Sequence, residues 1–155
     1  MTNNDIMRRI RYTFDYSDSQ MINIFASADF TVTRSLISDW MKKDSDPSFK
    51  TVDDQTCAFF LNGFINEKRG KKEGSQPEIE IRLNNNIIFR KLKIALNLTA
   101  EDVLEILGLA DYTLSKHELS AFFRNPSHKH YRKCNDQILR RFLHGMQKKY
   151  HPETE

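Results

Sequence analysis

Six basic side chains in two matching triplets are the residues of this chain best suited to chemistry. Arg8, Arg9 and Arg11 form one triplet, and Arg90, Lys91 and Lys93 repeat it 82 positions later. Clustered guanidinium and ammonium groups hold carboxylates or phosphates through charge-assisted hydrogen bonds. The triplets are therefore candidate contacts for an acidic protein partner or a nucleic acid. The competing explanation is a solvated helix face, since Lys and Arg are good helix formers. Recurrence of the triplet weighs toward a partner surface, although Arg8 and Arg90 could equally be tied to Asp54 and Asp136 as structural ion pairs.

A second candidate is TAEDVLEILGLADYTLSK, residues 99–116, which resembles the helix-turn-helix of bacterial repressors. In that motif a capped helix ends at a turn glycine and a second helix enters the major groove. Thr99, Gly108, Thr113 and Ser115 fall at the matching offsets, and Tyr112, Thr113 and Lys116 become the nucleic-acid-contacting candidates. The chemistry fits less well than the spacing. Phosphate repels an acidic Asp111 at the groove entrance, and the first triplet's half of the chain has Asp29 and Ala26 at the corresponding places.

Two further groups point away from catalysis. His117, His128 and His130 invite a metal site, because imidazoles two residues apart reach one ion from an extended loop. None has a histidine counterpart 82 positions earlier and no thiolate or carboxylate ligand accompanies them, so no metal is expected. Cys57 and Cys134 lack metal-ligand spacing and are expected to be free thiols in a reducing compartment. No Gly-rich phosphate loop, nucleophile elbow or paired carboxylates are present. The expectation is a protein without enzymatic activity or cofactor, with a metal-dependent enzyme the most remote alternative.

These residues are positioned by a duplication. Residues 3–43 align without a gap on residues 85–125, and the register continues through Asp54 and Asp136, Phe60 and Phe142, and Gly63 and Gly145. Roughly one position in five is identical, the self-similarity of a tandem repeat. Hydrophobic spacing in each copy predicts four helices. The first spans 5–16 with Asn3 or Asn4 as N-cap, and its copy spans 87–98. A second is capped by Ser17 or Ser19, and by Thr99. The third starts at Asp111 or, from the Ser115/Glu118 capping box, at a later point. The fourth spans 53–68 and 135–149. Gly63 and Gly145 interrupt the fourth helices, where each costs about 1 kcal/mol against Ala; close approach of a neighbouring helix is the expected reason.

The expected fold is all-α, two tandem four-helix repeats packed with pseudo-two-fold symmetry. Residues 1–69 form the first repeat, 70–84 a linker whose 78–83 stretch alternates as an extended segment would, and 85–150 the second. A lone repeat of this size buries only about 60% of its unfolded surface, so both should share a core containing Ile10, Phe14, Phe60, Leu92, Leu96 and Phe142. Charge is uneven: residues 1–69 carry nine Lys/Arg against ten Asp/Glu, and residues 85–155 carry twelve against eight. With no run of 18 apolar residues and no signal-peptide start, a cytoplasmic protein away from membranes is expected.

Four segments carry a wider resemblance: NND followed by RR-x-R near the start, FLNGFINEKRGKKEG, RLNNNI, and FFRNPSHKHYRKCNDQILRRFLHG. Together they resemble the bacterial YehS-like family, two copies of a domain of unknown function, over nearly the full length. The resemblance implies a cytosolic, all-helical, two-repeat protein and brings no catalytic residues. The reading is a non-enzymatic binding or regulatory module whose basic helix faces receive an acidic partner, with a nucleic-acid-binding regulator as the alternative.

Overall fold

The structure, a computed structural model, describes residues 1–151. Eight helices and no strand occur among them: α1 Asn3–Thr13, α2 Asp18–Ser27, α3 Arg34–Met41, α4 Asp54–Arg69, α5 Asn85–Ala95, α6 Ala100–Leu109, α7 Lys116–Ala121 and α8 Asp136–Tyr150. The all-α class expected from the periodicity is what is found, as two halves consistent with a duplicated domain.

Capping chemistry sets the helix starts. α1 begins earlier than the spacing suggests, because Thr2 rather than Asn3 or Asn4 is its N-cap: the Thr2 hydroxyl accepts from Asp5 N–H and the Asp5 carboxylate accepts from Thr2 N–H. Ser17 and Thr99 cap α2 and α6 as expected. Ser115, with Glu118, starts α7 at the later of the two possible points. α1 and α5 also end sooner than expected. Asp15 at φ 52° and Asn97 at φ 53° adopt the left-handed conformation just past each end, which Asp and Asn tolerate better than other non-glycine residues.

With Thr2 and Asn84 capping, the paired asparagines that follow turn inward and fasten each half in the same way. Asn4 is buried, donates to the carbonyls of Trp40 and Lys50 at 3.0 and 2.9 Å, and accepts from Val52 N–H at 2.9 Å. Asn86 donates to Phe122 and Arg132 at 3.0 and 2.8 Å and accepts from Cys134 N–H at 2.9 Å. One side chain thereby satisfies three loop backbone groups that burial would otherwise leave unpaired. Asn3 and Asn85 bridge to Asp54 and Asp136 at 2.8 and 2.7 Å. Those carboxylates are therefore not the partners of Arg8 and Arg90.

Within each half the second and fourth helices cross at a glycine. A Cβ on Gly63 would lie 2.0 Å from the Ile24 carbonyl oxygen, and one on Gly145 equally close to that of Ile106. Between halves, α4 packs on α5 and α8 on α1, the reciprocal exchange that a pseudo-two-fold arrangement would produce. One continuous hydrophobic cluster runs through both halves and includes Ile10, Phe60, Leu92 and Phe142. Phe14 and Leu96, expected inside, are only partly buried at its edge, because each is the C-cap residue of its helix. Phe14 instead meets Phe64 and, across the halves, Tyr150 at ring separations of 5.3 and 5.5 Å.

Candidate functional site

Most of the six basic residues are occupied within the molecule. Arg8 pairs with Asp5 at 3.3 Å and Asp44 at 3.4 Å and also donates to the Lys42 carbonyl. Arg11 pairs with Asp18 at 2.7 Å and donates to the Tyr16 carbonyl at 3.1 Å. Lys91 pairs with Glu80 at 3.0 Å and donates to Asn62 at 2.6 Å. Lys93 lies over the Phe123 ring, 5.6 Å from its centroid. Arg90 lines a cleft of about 750 Å³ between α4, α5 and residues 70–80.

Arg9 is different. One terminal nitrogen of its guanidinium is buried without a hydrogen-bond partner. Burial disfavours its charge and Asp5 alone opposes that. The side chain points between α1 and α8 into two adjoining clefts of about 420 and 520 Å³. Gln137, Arg140, Arg141 and His144 complete the second of these, so cations gather there with no carboxylate among the lining residues. Arg141 donates to the Ala110 carbonyl at 3.0 Å, while Arg140 is exposed. Burial, then the charges of Arg9, Lys148 and Arg141, hold the His144 imidazole below its ordinary pKa. Such a group accepts a proton more readily once an anion enters.

The α8 members of this cluster were not among the candidates from sequence, yet a signal existed. At the register of 82, Arg140, Arg141, His144 and Lys148 stand where the first copy has Ala58, Phe59, Asn62 and Asn66. Three cations and a histidine replace uncharged residues at four places on one helix whose pattern otherwise matches.

The repressor-like segment has a different geometry from the motif it resembles. Gly108 lies inside α6, the left-handed residue after that helix is Asp111 at φ 57°, and α7 starts only at Lys116. Tyr112 and Thr113 are loop residues, the first half-buried and the second exposed. Lys116 pairs with Glu101 at 2.6 Å. His128 and His130 approach each other, with ring centroids 5.6 Å apart. Among the described residues no group of three or more His, Cys, Asp or Glu side chains could hold a metal ion. Cys57 and Cys134 are buried and free; burial pushes each thiol up to about 12, aided by Asp54 and Asp136 respectively. No helix among the described residues is long and apolar enough to cross a membrane.

A duplicated helical unit bearing one cationic cleft between its halves is thus the kind of molecule in hand. The chain belongs to the family described as "Protein of unknown function (DUF1456)", which matches residues 3–70 and again 85–151. It is 39% identical over 152 residues to the protein titled "Uncharacterized protein YehS" of Escherichia coli (strain K12), covering 97% of each chain. No solved structure matches.

Proposed function

We propose that this protein is a non-enzymatic binding module, acting in the cytoplasm, that receives an acidic protein partner on the cationic face of α1 and α8. The observation that carries this reading is the unpartnered, buried guanidinium nitrogen of Arg9 in a cleft shared with Arg140, Arg141 and His144. A cation with a buried nitrogen that has no acceptor is costly, and a carboxylate entering the cleft that Arg9 lines offsets that cost through the charge of the whole guanidinium rather than by bonding the buried nitrogen. The reading narrows the binding surface to a portion of the first triplet and adds α8, since Arg8, Arg11 and Lys91 already have carboxylate partners.

Fluorescence anisotropy with a labelled poly-glutamate 20-mer and a 20-base-pair duplex tests it. Poly-glutamate should bind, and Arg9→Ala with Arg140→Ala should weaken it tenfold or more, since hydrogen bonds to charged groups contribute about 1.5–3 kcal/mol. Duplex binding should be weak, independent of sequence and gone by about 150 mM salt, where the screening length is near 8 Å. Nanomolar binding of a defined duplex at that salt, abolished by Tyr112→Ala with Lys116→Ala, would establish the nucleic-acid-binding regulator instead.

A further inference from the structure

The linker shows how a chain can lie in a cleft of this kind. Between α4 and α5, Lys91 holds Glu80 at 3.0 Å, Asn66 donates to Gln76 at 2.9 Å, and Leu83 N–H donates to Asp54 at 2.9 Å. At the register of 82, Arg9 stands for Lys91, His144 for Asn62, Lys148 for Asn66 and Asp136 for Asp54; Arg9 and His144 line the α1–α8 clefts, and Lys148 lies beside them, near enough for its charge to act on His144. The correspondence is spatial as well. Asp136 binds the Met1 ammonium at 3.0 Å as Asp54 binds Leu83 N–H, and Arg9 and His144 line one cleft, at the places where Lys91 and Asn62 meet. The α4–α5 cleft is lined partly by residues 70–80. Among the described residues, the α1–α8 clefts are lined by α1, α8 and Met1, with Asp5 the one carboxylate.

We infer that the α1–α8 cleft binds an extended acidic segment of a partner protein, laid along it as residues 74–80 lie along α4 and α5, with one carboxylate at Arg9 and another, four residues earlier, at Lys148. This rests on the acidic-partner reading above and adds to it the conformation and spacing of the ligand. The four-residue spacing is that of Gln76 and Glu80. The earlier position becomes acidic because Lys148, a cation, stands where Asn66 meets Gln76.

The test uses the full chain and a labelled synthetic peptide reproducing residues 74–83 with Gln76→Glu. The peptide should bind at low salt. Reverting its first carboxylate to Gln, or changing Glu80→Gln in it, should each weaken binding at least tenfold, with no protein variant needed. Against Arg9→Gln protein the Glu80→Gln change should cost almost nothing further, the coupling that direct contact produces. Equal binding of a scrambled peptide would overturn the extended, registered mode while leaving an acidic partner in place. Binding of poly-glutamate but not of this peptide would do the same. Binding lost in Lys91→Gln but intact in Arg9→Gln would mean that the peptide displaces the linker, which also overturns it. If neither poly-glutamate nor the peptide binds, both readings fall.

Discussion

At the scale of single residues, buried polar groups divide into those that are satisfied and a few that are not, of which the Arg9 nitrogen is the cationic one. Asn4 and Asn86 each close three hydrogen bonds to loop backbone, so Asn4→Ala or Asn86→Ala strands three groups. Each should cost about 3 kcal/mol in urea unfolding; a loss below about 1 kcal/mol would mean that water replaces them. Arg9 is the opposite case, a buried cationic nitrogen with no acceptor. Arg9→Met should leave stability unchanged or raise it by about 1 kcal/mol, measured the same way. The thiols give a further check. With both pushed to about 12 by burial, disulfide-exchange reagent should titrate neither quickly in native protein and both after denaturation. The asparagines' inward role was hidden in the sequence because Asn is also a favoured N-cap, and only the reciprocal Thr2–Asp5 box releases Asn3 and Asn4 from that task. The repeated basic triplets were plain to see, but which of their cations would have a buried nitrogen without an acceptor depended on loops and linker far away in the chain.

At the scale of elements, the glycines distinguish two causes of the same residue choice. Gly63 and Gly145 lie against the backbone carbonyls of Ile24 and Ile106, whereas a Cβ on Gly108 meets nothing within 4 Å. Gly63→Ala or Gly145→Ala must push the crossing helices apart, at a net cost of about 2 kcal/mol. Gly108→Ala should add up to about 1 kcal/mol through helix propensity alone. Equal thermal shifts for the three variants would contradict the close crossings. Helix existence, order and these crossings were legible from spacing at 3.6 residues and from the fixed register. Helix ends were less so, because Asp15, Asn97, Asp29 and Asp111 mark turns by adopting positive φ, and residues that also serve as N-caps do not announce which role they play. Residues 78–83 alternate as a strand would, yet they pair with no strand. Ile79 and Glu80 are half-buried, with Glu80 on Lys91, while Ile81 and Arg82 are exposed, so the sequence alternation does not become two alternating faces.

At the scale of the whole molecule, the two halves complete one another. The core is continuous through both, and each half alone lacks the partner helix against which α1 or α5 packs. Residues 1–69 and 85–151 expressed separately should unfold at much lower denaturant than the intact chain; two halves each as stable as the whole would contradict a shared core. The halves are alike in frame and unlike in charge, since α8 carries cations where α4 is neutral and the linker lies only along α4 and α5. His144 reports on that difference. Its pKa is depressed, so its contribution to stability is present above the ordinary imidazole pKa near 6.5 and is lost as pH falls through the lower folded value. The most direct measurement is therefore the NMR titration of the His144 ring with and without saturating poly-glutamate. An acidic ligand held beside Arg9 and Arg140 should raise the His144 pKa by about one unit or more, since an opposite charge nearby favours the imidazolium. A His144 pKa that stays where it was while poly-glutamate is bound would place the acidic ligand elsewhere and contradict binding at the α1–α8 cleft.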